Sequence, residues 1–353
     1  MSLKRFQRGA VVAATLVIAA ALVAGCGKSG SDDNSSSSGD TSGPKVGLVT
    51  DVGGLNDHSF NFLANEGFKK AKKDLGATGS VIESKSDSDY TKNLGSQVQS
   101  GADLVVGIGF LMGDAIKSAA EKAPDTDFAI VDFTYADDNG DWTATDNVAG
   151  ILFKEQEAGY LAGVLAGAVE QDGSIERLND KKVVSAVGGQ KIPPVDKYIA
   201  GFKAGVMSQC KDCEVLVDYS QDFVDQAKCQ DRANKQISKG SDIVFQVAGQ
   251  CGLGALDAAK TKGVWGIGVD ADQAYLGDHI LTSAMKNVDE AVFQMIQSVK
   301  DDDFPGGETS VFGLEQNGVD VGEIASPAQQ YADLVEKARQ GILDGTIEVP
   351  ETV

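Results

Sequence analysis

Lys45-Val46-Gly47-Leu48-Val49-Thr50-Asp51-Val52-Gly53-Gly54-Leu55-Asn56-Asp57 sets the architecture of this 353-residue chain. Lys45–Asp51 reads as a short buried strand, the glycine pair turns the chain, and Asp57–Leu75 carries the apolar spacing of a helix that stops at Gly76. The unit then repeats. Strands are expected at Ser80–Ser84, Asp103–Ile108 and Asp127–Asp132, with helices at Asp89–Ser100 and Leu111–Ala123 between them. A second series places helices at Glu155–Val169, Pro194–Ser208, Asp225–Lys239 and Leu253–Lys262. Its strands are Lys182–Val187, Glu214–Asp218, Asp242–Gln246 and Val264–Val269. Two βαβ series predict an α/β protein with two doubly wound parallel-sheet lobes, each with helices on both faces.

The tail offers a strand at His279–Ser283, a helix at Val288–Lys300, a strand near Ser310–Leu314 and a helix at Pro327–Leu343. That is too little for a third domain, so these pieces are expected to return to the existing sheets and make a multi-crossing hinge. The expected N-terminal lobe is 45–152 plus 284–309, and the C-terminal lobe is 153–283 plus 310–353.

Upstream, Lys4, Arg5 and Arg8 precede an apolar run, Ala10–Ala24, that ends at Val23-Ala24-Gly25-Cys26. Small residues before a single cysteine, behind a basic segment, are the pattern of a bacterial lipoprotein signal peptide. Residues 1–25 are expected to be cleaved and Cys26 to carry lipid. The apolar run falls short of the roughly twenty residues that a membrane-spanning helix needs. Residues 26–44, rich in Ser, Gly and Asp, read as a flexible tether. The folded part is therefore expected on the extracytoplasmic face of the cell membrane.

Removal of residues 1–25 deletes three basic groups and no acidic ones, leaving 28 Lys+Arg against 52 Asp+Glu, a formal −24. That field repels nucleic acid and disfavours phosphorylated ligands, and it suits a neutral small molecule or a protein partner. Four cysteines remain after Cys26, and they allow three pairings. Cys210–Cys213 with Cys229–Cys251 is the favoured set. A redox role for Cys210-Lys-Asp-Cys213 would need a helix N-terminus, whereas this pair follows a helix C-terminus. Zinc is a weaker reading, since His58 and His279 are the only histidines.

No nucleophile elbow, His-Glu-x-x-His or histidine cluster is present, and Gly107-x-Gly109 with Gly113 misspaces a dinucleotide loop. A non-enzymatic binding protein without metal or cofactor is expected. In open parallel sheets, ligands sit beyond the carboxyl ends of the strands. Just past the predicted strands lie Asp51-Val52-Gly53-Gly54, Gly107-Ile108-Gly109-Phe110, Asp132-Phe133, Gly188-Gly189-Gln190, Ser220-Gln221-Asp222-Phe223, Ala248-Gly249-Gln250 and Asp270-Ala271-Asp272. Carboxylates and backbone amides dominate this set, which suits a hydroxyl-rich or heterocyclic ligand held between the lobes.

Val46–Asp57 with Ser59-Phe60-Asn61 closely resembles the first strand and helix of the basic membrane protein, or purine nucleoside receptor, family of lipid-anchored ABC importer substrate-binding proteins. Further matches run in family order: Glu83-Ser84-Lys85, Gly107–Phe110, Phe153–Gly163, Ala200–Gly205, Gly266–Gln273 and Thr282–Lys286. The resemblance implies a type I periplasmic-binding-protein fold with a purine nucleoside in the cleft, and an ABC permease and ATPase as partners. Carried over by motif, Phe60 and Phe223 stack on the base and Asn61 bonds its edge. Asp132 bonds base or sugar, Gly249 offers its backbone, and Asp270 with Lys286 holds the ribose; Asp51 and Asp57 complete the set. Cys229 and Cys251 depart from the family pattern.

Plainer roles compete with these. Phe60 could be core, Asp57 a helix N-cap, Asp132 a turn cap and Lys286 a solvated lysine. A ligand sensor or surface lipoprotein of the same fold, binding another neutral small molecule, is the alternative function.

Overall fold

The computed structural model describes residues 43–353. The expected signal peptide, the expected lipidation site Cys26 and all but the last two residues of the tether lie outside these residues.

The first series contains β1 (Lys45–Thr50), α1 (Phe60–Asp74), β2 (Thr78–Glu83), α2 (Tyr90–Gln99), β3 (Leu104–Ile108), α3 (Gly113–Lys122), β4 (Asp127–Val131) and β5 (Val148–Phe153). The second contains α4 (Glu155–Asp172), β6 (Val183–Gly188), α5 (Pro193–Gln209), β7 (Glu214–Tyr219), α6 (Gln226–Lys239), β8 (Ser241–Val247), α7 (Gly249–Lys262), β9 (Trp265–Asp270) and β10 (Ile280–Lys286). The tail adds α8 (Val288–Lys300), β11 (Thr309–Phe312), β12 (Val319–Val321) and α9 (Ala332–Leu343).

Two six-stranded sheets form, in the orders β11-β5-β4-β3-β1-β2 and β12-β10-β9-β8-β6-β7. All pairs are parallel except β10 with β12. Central strands such as Leu104–Ile108 and Ser241–Val247 are buried along their whole length, as strands covered on both faces must be. In each sheet the second strand lies to one side of the first and the third to the other. This places a crevice at the carboxyl ends of β1 and β3, and a matching one at β6 and β8. The two doubly wound lobes are those the alternation predicts.

Two strands were absent from the sequence reading. Val148–Phe153 follows a polar loop without a helix before it, and Val319–Val321 is only three residues long. Two placements need correction. Thr309–Phe312 pairs with β5 in the first sheet, whereas the expected boundary put residue 310 onward in the second lobe. The expected boundary also put 284–286 in the first lobe, yet they end β10 of the second sheet. A single edge strand carries no sequence mark of the sheet it joins, so only pairing decides.

The chain therefore crosses between sheets at Lys154, at Asn287 and over 313–318, and the crossings are tied together. Lys154 N donates to Phe312 O at 2.9 Å and Asn287 N to Gly318 O at 2.8 Å. Leu314 N donates to Glu157 Oε2 at 2.7 Å. Behind them α4 is almost wholly buried and packs on α5 with backbones in near contact. A Cβ at Gly163 would collide with the Phe202 carbonyl, and one at Gly201 with that of Gln156. This packing sets the rotation of both helices, and so aims Glu155 and Tyr198 toward the cleft.

Candidate functional site

A cavity opens where the carboxyl ends of the two sheets face each other. All nine residues expected to touch a ligand line it: Asp51, Asp57, Phe60, Asn61, Asp132, Phe223, Gly249, Asp270 and Lys286.

On the first-lobe side the turn after β1 is held by its own side chains. Asp51 Oδ1 accepts from Gly53 N at 2.9 Å and from Asn61 Nδ2 at 2.7 Å, and Asp51 N donates to Asn61 Oδ1 at 3.3 Å. Asp57 Oδ1 accepts from Ser59 N and Phe62 N, and its Oδ2 from Asn61 N and Asn61 Nδ2, at 2.7–3.1 Å. Its four acceptor positions are filled, so Asp57 is the capping carboxylate of α1 even though Ser59 holds the N-cap position. Both N–H bonds of the Asn61 amide are likewise committed, and one lone pair on Oδ1 remains. Asp51 is different. Among the described residues nothing donates to its Oδ2, so that oxygen is available to a bound molecule. Burial, only partly offset by the Asn61 and Gly53 hydrogen bonds and reinforced by Asp57 and Asp132, pushes its carboxyl up to about 6.

The floor is a buried charge cluster. Lys286 Nζ donates to Asp132 at 2.8 and 3.0 Å and to Glu155 Oε1 at 3.4 Å, and it lies over the Phe60 ring at 4.8 Å. Burial alone would lower the ammonium, but Asp132, Glu155 and Asp270 outweigh it and hold Lys286 above its ordinary range. Burial pushes the Asp270 carboxyl up to about 7, against the pull of Lys286 and with the push of Asp132. Glu155 is pushed up to about 7 for the same reasons. Tyr198 Oη donates to Asp270 Oδ1 at 3.2 Å.

Asp132 and Asp270 end equivalent strands of the two sheets, and both adopt positive φ, 67° and 60°. Such backbone costs on the order of 1–3 kcal/mol and persists where neighbours over-determine it. Here the pairing to Lys286 and Tyr198 does so.

The walls are aromatic and come from different lobes, Phe60 from the first turn of α1 and Phe223 from the loop after β7. The Phe223 ring lies on Gly189, where any Cβ would collide with it. Gly249 starts α7 with φ 52°, its α-carbon facing the Phe223 carbonyl. Among the described residues no group of three His, Cys, Asp or Glu side chains could hold a metal ion. The cleft can therefore grip a flat apolar ring and accept hydrogen bonds from hydroxyl or N–H groups, while its one ammonium is already held by Asp132 and Glu155.

Sequence reasoning missed Glu155 and Tyr198. Glu155 had a signal, a carboxylate opening a helix whose middle, Ala158–Val169, is apolar on every face. Tyr198 had none, since an aromatic inside an apolar helix reads as core. Cys210 is joined to Cys213 and Cys229 to Cys251.

Residues 45–353 match the family of the ABC transporter substrate-binding protein PnrA-like, Bmp. The chain belongs to the Bmp family. Bmp-family relatives include the CD4+ T-cell-stimulating antigen of Listeria innocua, 36% identical over 98% of this chain and 99% of that protein. Another, from Lactococcus lactis, is named ABC transporter nucleoside-binding protein BmpA and is 34% identical, with the same coverage. An ABC transporter solute-binding protein from Aeropyrum pernix K1 has a solved structure that superposes with a TM-score of 0.77 at 26% identity, covering 87% of this chain and 94% of that one. The Bmp chain is thus a substrate-binding protein of an ABC transporter, not an enzyme, with a type I periplasmic-binding-protein fold. A small-molecule ligand and a permease with its ATPase are the partners this class implies.

Proposed function

We propose that this chain is a lipid-anchored receptor that captures a purine nucleoside between its lobes and delivers it to an importer. One observation carries the reading: two phenylalanines from opposite lobes, Phe60 and Phe223, line one cavity whose remaining polar groups are mostly acceptors. Base–aromatic stacking needs the rings, and a nucleoside supplies the donors. Asp51 Oδ2 suits a base edge bearing N–H groups, as guanine and hypoxanthine carry at N1. Asp270, paired behind by Tyr198, suits ribose hydroxyls. The name of the Lactococcus lactis relative supports the same ligand class.

Closure brings the lobes onto the ligand by a population shift. Gln273 Nε2 in the second lobe already reaches His58 O in the first at 3.3 Å. Native mass spectrometry of protein purified from cells tests the assignment. A retained nucleoside is expected, and retention of a sugar or amino acid instead would overturn it. The anchor is tested separately. Cys26→Ser should release the protein from the membrane fraction, and unchanged fractionation with unchanged N-terminal mass would reject lipidation.

A further inference from the structure

The Cys229–Cys251 bond joins the first turns of α6 and α7, and both cysteines are fully buried. Those two helix starts flank the aromatic wall of the second lobe. Asp225 caps α6, its side chain accepting from Ala227 N at 3.0 Å, and lies two residues after Phe223. Gly249 opens α7 and lines the cleft.

The loop that carries Phe223, between β7 and α6, has its own internal bracing. Asp222 Oδ1 accepts from Val224 N at 2.7 Å and Asp225 N at 2.9 Å, and Ser220 Oγ donates to Asp222 O at 2.8 Å. These bonds fix the shape of the loop but do not fasten Phe223 to α7. Among the described residues that is done by the Cys251 N–H, which donates to Phe223 O at 3.0 Å. Cys251 is the third residue of α7, so this N–H is one of the helix-start donors that have no partner within the helix. One residue thus holds the Phe223 carbonyl through its backbone and α6 through its side chain.

We propose that the Cys229–Cys251 disulfide is a positioning device for the ligand site, fixing Phe223 against Gly249 before ligand arrives; the proposal rests on the nucleoside-binding reading above. A ring held in place loses less freedom on binding, so the bond raises affinity without touching the ligand. Removing it does not dismantle the lobe. α6 and α7 stay in close contact at Gly254, where a Cβ would collide with the Gln226 carbonyl.

The test is a double-mutant cycle on the full chain, read by guanosine calorimetry. Cys229→Ala with Cys251→Ala should weaken binding about tenfold in the parent, and by less than about twofold when Phe223→Ala is already present. An equal loss in both backgrounds, or none in the parent, overturns the proposal. Hydrogen exchange on ligand-stripped protein gives a readout independent of ligand identity. Amides of 222–225 and of residue 251 should exchange faster in the cysteine-free variant while those of β6 and β8 hold their protection, and unchanged exchange at 222–225 also overturns it. Failure of guanosine to bind the parent would reject the nucleoside reading alone and leave the exchange experiment to decide this one. If the double alanine variant does not fold, Cys229→Val with Cys251→Ala restores volume for the same measurements.

Discussion

Helix α4 buries glutamates at both ends, and Glu155 and Glu170 are kept in opposite ways. Glu155, in the first turn, faces Lys286 and shares it with Asp132, while the helix dipole there favours negative charge. Glu170, in the last turn, meets Asp242 instead of a cation. Among the described residues no donor reaches Glu170 Oε1 or Asp242 Oδ1, and the dipole there opposes an anion. Asp242 Oδ2 is satisfied by Asn179 N at 2.6 Å, so a proton shared between the two carboxyls is what accommodates the rest. Burial, with Asp242 beside it, pushes Glu170 well above the ordinary carboxyl range. The cation-held end backs onto the cleft through Lys286 and Asp132, which line it, and the proton-held end lies away from it. Buried acid is compatible with this fold under either remedy, but only the first keeps a charge where a ligand can use it.

Converting the first end into the second has the largest expected effect. Lys286→Met strands Asp132, Glu155 and Asp270, and should cost about 3–5 kcal/mol of stability at neutral pH. Without the ammonium the buried Glu155 and Asp270 carboxyls are held protonated in the fold and ionise when unfolded. The variant therefore recovers stability at low pH and loses it as pH rises. Chemical denaturation at pH 5 and pH 8 measures this; equal losses at the two values would show that the cluster is not electrostatically coupled. Nucleoside binding should vanish at both.

An intermediate effect is expected at the aromatic walls. Phe60→Ala removes the ring under Lys286, and Phe223→Ala the facing one; each should cost about 1–3 kcal/mol of nucleoside binding with little change in melting temperature. Loss confined to one of the two would break the sandwich and leave a one-sided site.

The smallest effect belongs to the other end of α4. Glu170→Gln supplies a permanent donor to Asp242, so near pH 6 stability should change by no more than about 1 kcal/mol. The parent binds this proton more tightly folded than unfolded. Its contribution is complete below the unfolded glutamate value and drains away as pH rises toward the folded one. The variant should lack that alkaline decline, and nucleoside affinity should be unchanged. A parent and variant with parallel pH profiles from 6 to 9 would remove the shared proton.

Most of this was readable from the chain because strand ends and helix starts carry strong local signals. The Val46–Asn61 turn, Asp132 and Asp270 announced themselves as polar residues ending apolar runs. What escaped reading depends on distance in sequence. Nothing near Lys286 says that it folds against Asp132, and nothing near Tyr198 separates it from core. The start of α7 was expected at Leu253 and lies at Gly249, since glycine-rich Gly249-Gln250-Cys251-Gly252 argues against helix by propensity. Packing on α6 and the capture of the Cys251 N–H override that preference.

The central claim is that an acidic, two-ringed cleft selects a neutral nucleoside. Titration calorimetry of ligand-stripped protein with guanosine and with guanosine 5′-monophosphate tests it most directly. Guanosine should bind and the monophosphate should not, because among the cleft-lining residues the only cation, Lys286, is already engaged by two carboxylates. Equal affinity for the two, or no binding of either, would contradict the account.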